Sequence, residues 1–152
     1  MGMGEEDADT VELALALRKL KIDSIPLNFL HPVEGTPLQD RPGPDPLRGL
    51  KALCLMRFLN PSSEIRMAAG REIHLGRAAA LALYPANSIF VEGYLTTPGQ
   101  ESGAAARLVR EAGFALEDEA PDKGGVRVRS SSGPPFPSLD ILPRTASPAP
   151  GS

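Results

Sequence analysis

The 152-residue sequence contains one cysteine, no tryptophan, two tyrosines and five phenylalanines. The lone cysteine, Cys54, excludes an internal disulfide framework and any all-cysteine metal site built by this chain alone. There is no basic excess: 16 lysines and arginines face 19 acidic residues, for a net charge of −3. That balance argues against a nucleic-acid partner, because phosphate binding relies on clustered cations. No apolar run approaches the length of about 18 residues that reads as a membrane span. The acidic start MGMGEEDAD lacks the apolar core of a secretory signal, so the expected location is cytoplasmic. Also missing are a P-loop, a Ser-His-Asp set, zinc-ligand spacing and a full Gly-x-Gly-x-x-Gly. His31 and His74, the two histidines, are not spaced as a metal pair and read as ordinary loop residues.

Proline is in excess. Its 16 residues are about double the usual share of roughly 5%. Six of them fall in 133–152, where large apolar residues are few. Such a stretch buries too little surface to offset its ordering entropy, which predicts a disordered tail. The charged, Gly/Ser-rich stretch before it is read with the tail, giving an ordered part over 1–116 and a tail over 117–152.

Within the ordered part, helix-like and strand-like segments alternate. Residues 10–20 (TVELALALRKL) read as a helix behind the cap candidates Asp7 and Asp9. The apolar run 24–30 (SIPLNFL) suits a buried strand. Asp45-Pro46 is a strong helix start, and that helix should stop before Asn60-Pro61. Residues 64–68 and 87–91 read as strands, 69–72 as a turn, and 75–83 and 100–112 as helices, with Gly113 as the C-terminal glycine. Cys54, inside the apolar stretch ALCLM, is expected to be a buried, inert thiol. Strands separated by single helices pair parallel. The fold class expected is therefore α/β. A whole (β/α)8 barrel needs about 250 residues, so about three βα units read as the C-terminal portion of a TIM-type barrel. Gly2-Met3-Gly4-Glu5 then resembles a loop at the end of a preceding strand.

In a barrel, functional residues lie just beyond the C-terminal ends of strands. Asn28 is either a backbone-bonded structural amide or a clamp offering a ligand both donor and acceptor. Arg66 alternates with Ile65 and Met67. If those two pack against helices, its guanidinium points to the other face of the sheet, where it needs an anion, a carboxylate or a metal-cluster environment. A salt bridge to an acid on a neighbouring strand is the plain alternative. Arg71-Glu72, after Gly70, is either a second polar pair at the same rim or a solvated turn, and Thr96-Thr97-Pro98 reads as a helix-capping turn.

The stretches SIPLNFLHPVEGTPL (24–38), EIRMAAGRE (64–72) and ANSIFVEGYLTTPG (86–99) resemble the biotin synthase family of radical S-adenosylmethionine enzymes. NFLHPVEGTPL speaks against the related thiamin and hydrogenase-maturation branches. The resemblance covers about residues 1–116 and implies an eight-stranded barrel, with 4Fe–4S and 2Fe–2S clusters, S-adenosylmethionine and dethiobiotin. It implies that Arg66 is one ligand of the 2Fe–2S cluster, that Asn28 contacts the dethiobiotin ureido group, and that Gly2, Gly4 and Glu5 lie beside S-adenosylmethionine. No catalytic residue is assigned. The family's Cys-x-x-x-Cys-x-x-Cys loop and the cysteines of its second cluster are absent from this sequence, and Pro85 stands where the family usually has a small residue. The implied partners are a separately supplied N-terminal half and, as an option, a second copy of the chain. The competing expectation is a remnant with no activity of its own.

Overall fold

The computed structural model describes residues 1–90, 102–117 and 125–130. Helix α1 (Asp7–Leu20) leads into β1 (Ser24–Leu27), then α2 (Pro46–Leu59) and β2 (Glu64–Met67). Two short helices, α3 (Arg71–His74) and α4 (Ala79–Ala82), flank a 3-10 turn at Gly76–Ala78 and precede β3 (Ser88–Phe90). Helix α5 (Ser102–Glu111) is followed by β4 (Phe114–Glu117) and β5 (Gly125–Ser130). The five strands form one sheet in the order β1-β2-β3-β5-β4. β1, β2 and β3 pair parallel, as expected for strands joined through helices, whereas β5 pairs antiparallel with both β3 and β4. The fold is α/β.

Local chemistry accounts for the element boundaries. The Asp45 carboxylate accepts hydrogen bonds from Leu47 N and Arg48 N at 2.9 and 3.1 Å, and Pro46 opens α2 without wasting a donor. In α1 the expected caps shift by one position. Glu6 is the N-cap, and the Asp9 side chain accepts from its N–H at 2.7 Å. Gly113 has φ +81, the left-handed conformation that follows a helix end. Pro85 does not disturb the lead-in to β3, because Ala86 N bonds to Ala82 O and Asn87 N to Ile65 O, both at 3.0 Å.

The core lies on one face of the sheet. Ile25 and Leu27 of β1, Ile65 and Met67 of β2, and Ile89 of β3 are buried with Phe29, Leu53, Met56, Leu75 and Leu83. Burial of each such side chain is worth about 1.5–3 kcal/mol. Strand period places Ser24, Pro26, Glu64 and Arg66 on the opposite face.

Four expectations are corrected. The helix expected over 75–83 is broken: Gly76, at φ +48, ends α3, and a 3-10 turn leads to α4. The turn expected over 69–72 supplies the first residues of α3. Cys54 is exposed rather than buried, because α2 turns Ala52, Leu53 and Met56 inward and leaves Lys51, Cys54 and Phe58 outside. Finally, the stretch assigned to the tail contains β5. Its sequence GVRVRS alternates with period two, and Val128 is buried in the core. Positions 91–101, which include the end of the third expected strand and Thr96-Thr97-Pro98, lie outside the described residues, as does 131–152.

Candidate functional site

The polar face of the parallel sheet carries Arg66. Its neighbours in register are Pro26 on β1 and Ser88 on β3. Ile65 and Met67 pack against the helices, so the guanidinium emerges on the opposite face, as the alternation predicts. Arg66 Nε donates to Glu64 Oε1 at 2.9 Å, and Nη2 donates to the same oxygen. Both side chains are largely shielded, at 12% and 11% exposure, so the pair is screened less than a surface ion pair. The guanidinium carbon lies 5.1 Å from the centroid of the Phe90 ring, a cation–π distance. Nη1 has no hydrogen-bond partner among the described residues.

A salt bridge therefore does hold Arg66, but its acid sits two residues earlier on the same strand. Residues i and i+2 of a strand share a face. The Glu-x-Arg spacing in EIRM thus encodes this pairing within one strand. Phe90, one strand away, had no such signal.

Asn28 follows β1 directly and is exposed. Its Oδ1 accepts from Ala69 N at 3.2 Å, its carbonyl accepts from the Met1 amino group at 2.6 Å, and Leu30 N donates to Met1 O at 2.8 Å. With Oδ1 tied to backbone, Nδ2 has no hydrogen-bond partner among the described residues. Pro26, register partner of Arg66, precedes Asn28 by two positions. The amide thus lies roughly 7 Å further along the strand direction, at the C-terminal rim.

Gly70 makes this rim possible. Its φ is +81, and a Cβ there would lie 2.1 Å from Phe29 O. Only glycine lets the β2–α3 turn pass so close to the strand end. Beyond it, Arg71 is buried and its Nη1 stands 3.3 Å from Glu72 Oε1. His74 Nε2 lies 2.6 Å from Leu30 O, which ties α3 to the loop after β1.

Gly2, Gly4 and Glu5 form a closed loop at the same end. The Glu5 carboxylate accepts from Gly2 N at 2.5 Å and Met3 N at 2.9 Å. Partial burial pushes the Glu5 pKa up, but the backbone N–H groups and the terminal ammonium together hold it below the ordinary value. Gly4 has φ +119 and faces the Arg41 guanidinium, 2.9 Å from where a Cβ would sit. The structure thus gathers Asn28, Gly2, Gly4 and Glu5 at one rim, with Arg66 deeper on the same face of the sheet as Asn28.

Among the described residues no group of three or more His, Cys, Asp or Glu side chains could hold a metal ion. Cys54 lies on α2, on the helical side of the sheet. Beside it runs an apolar groove of about 570 Å³, lined by Thr10, Val11, Ala52, Cys54, Leu55 and Phe58 with others. Neither Asn28 nor Arg66 lines that groove.

Residues 26–115 match the Biotin and Thiamin Synthesis associated domain. The biotin synthase of Bacillus pumilus is 50% identical over 118 residues, covering 78% of this chain and 36% of that protein. The biotin synthase of Acaryochloris marina is 47% identical over 129 residues, covering 85% and 37%. Biotin synthase 2 of Frankia casuarinae is 51% identical over 116 residues, covering 76% and 32%. The chain spans about a third of the length of these relatives. With more than half of its residues inside the match, the chain belongs to the Biotin and Thiamin Synthesis associated domain family.

Proposed function

We propose that the chain is the C-terminal portion of a biotin synthase-type (β/α)8 barrel and acts in biotin formation when an N-terminal portion completes it. The observation that carries this reading is the shared polar face, on which Asn28 stands just past the end of β1 and Arg66 lies deeper on the adjacent parallel strand β2. In a closed barrel that face is the interior, where substrate reaches the strand ends. The 4Fe–4S and 2Fe–2S clusters, S-adenosylmethionine, and sulfur insertion into dethiobiotin come with this reading through the family resemblance.

The described residues do not fit an iron–sulfur cluster by themselves. The one candidate ligand, Arg66, is an ion-paired donor, and no cysteine stands near it. The remaining ligands and most of the S-adenosylmethionine site belong to the N-terminal portion in this reading. The chain's own residues then have simpler tasks. Asn28, with Oδ1 anchored on Ala69 N, offers Nδ2 to a carbonyl oxygen such as that of a ureido group. Glu64 fixes the Arg66 plane, leaving Nη1 without a hydrogen-bond partner among the described residues. The Gly2–Glu5 loop, its carboxylate satisfied internally, offers backbone at close approach rather than a free acid.

Co-expression of the chain with the unmatched N-terminal part of the Bacillus pumilus enzyme, followed by anaerobic cluster reconstitution, tests the proposal. Biotin should form from dethiobiotin, and Asn28→Ala should cut activity by about 10–100-fold, the loss of a positioned hydrogen bond. Soluble, cluster-loaded halves with no turnover would overturn it and favour the reading as an inactive remnant, to which the missing metal ligands point.

A further inference from the structure

A parallel sheet that closes into a barrel needs a further parallel strand on each outer edge. The two edges of the β1–β2–β3 set differ here. On the β1 side, Met1 straddles Phe29 in the pattern of a parallel pair, its amino group on Asn28 O and its carbonyl on Leu30 N. On the β3 side, the edge is occupied by β5, running antiparallel in the register Ser88↔Arg127, Ile89↔Val126 and Phe90↔Gly125. Val128 N adds a bond to Asn87 O at 3.0 Å, and the Val128 side chain is buried.

Resting on the function proposed above, we infer that the β4–β5 hairpin is a displaceable cover on the β3 edge. It holds the place of the parallel strand that the N-terminal portion must bring. An uncovered edge is a template for edge-to-edge aggregation, and β5 supplies the missing pairing from within the chain. Among the described residues the strand pairing spans three residues of β3, so displacement breaks a short ladder and withdraws Phe114 and Val128 from the core. Among the described residues β4 pairs with β5 and with no other strand, so the hairpin leaves as a unit. Closure of the barrel exchanges an antiparallel neighbour for a parallel one. While the hairpin is seated, the fraction of molecules competent to dock is reduced, and the apparent affinity for the N-terminal portion falls by that fraction.

The test measures docking of the full chain onto the N-terminal part of the Bacillus pumilus enzyme, by co-expression and by titration of the purified chains. Val128→Pro deletes the N–H that bonds Asn87 O and should tighten docking by about tenfold. A second variant, Ser88→Cys with Arg127→Cys in a Cys54→Ser background, locks β5 onto its register partner. Oxidised, it should dock at less than about a tenth of the wild-type affinity, and reductant should restore docking in the same sample. That reversal reads the hairpin even where Val128→Pro fails to fold. Equal docking by the oxidised and reduced pair would overturn the cover and leave the proposed function standing. Failure of every form, wild type included, to dock would overturn both.

Discussion

Arg57 and Asn87 hold the helical layer to the starts of two strands. Arg57 Nη2 donates to Asn87 Oδ1 at 2.7 Å, and the same oxygen accepts from Ile65 N at 2.8 Å. Nε and Nη1 of Arg57 bond the carbonyls of Pro85, Pro61 and Ser63 at 2.8–3.0 Å. One side chain from α2 thus satisfies three loop carbonyls and orients the Asn87 amide, which accepts from Ile65 N within β2. Burial works against the charge and lowers the Arg57 pKa from its ordinary value, while the four acceptors supply hydrogen bonds to the guanidinium.

Arg57→Met is expected to cost about 2–4 kcal/mol, because it strands loop carbonyls without a donor. Asn87→Ala should cost about 1–3 kcal/mol by exposing the Ile65 N–H to the same loss. Urea denaturation of both single variants and the double variant gives the coupling. A value below about 0.5 kcal/mol would mean that the two residues act independently.

Gly70→Ala probes the closest approach in the rim. The residue combines φ +81 with a carbonyl oxygen at 2.1 Å from the added carbon, so the β2–α3 turn must move. A loss of about 2–4 kcal/mol is expected in thermal or urea unfolding. Gly113→Ala is the comparison. It shares the positive φ but meets nothing within 4 Å among the described residues, so it should cost only about 1 kcal/mol.

Glu5 carries a pH signature. Its folded pKa is held below the unfolded value, so its stabilising contribution is fully present above the unfolded pKa. That contribution drains away as pH falls through the lowered folded value. Glu5→Gln should therefore narrow its stability deficit as the solution is acidified from neutral pH through the carboxylate range. A deficit that stays constant across that range would show that the carboxylate charge contributes nothing.

Cys54 should react in the native state. The thiol is exposed on α2 beside Lys51 and Phe58, so a disulfide reagent should titrate one equivalent within about tenfold of the rate in denaturant. A thiol protected until global unfolding would contradict its outward placement.

Much of the local architecture was legible in the residue order. Asp45-Pro46 announced α2, and the βα alternation announced parallel pairing of β1, β2 and β3. The alternation of Arg66 with Ile65 and Met67 told which face the guanidinium would take. Asn28 was legible as a polar residue at a strand end, and the structure shows the backbone-bonded reading of its amide, with Oδ1 accepting from Ala69 N. Helix period places Cys54 outside once Ala52, Leu53 and Met56 define the inward face, whatever the apolar look of the stretch.

The rest was decided by contacts between residues far apart in the chain. Met1 meets Asn28 across 27 positions, and Asn28 meets Ala69 across 41. No local pattern encodes such pairings, because their energies depend on where two strand ends arrive together. β5 shows the same division. The alternating valines of GVRVRS specify a strand, but only the open edge of β3 decides where that strand finds its partners. Period and capping are properties of neighbouring residues, which the order of amino acids fixes directly. Edge, rim and ion-pair partner are properties of the assembled sheet.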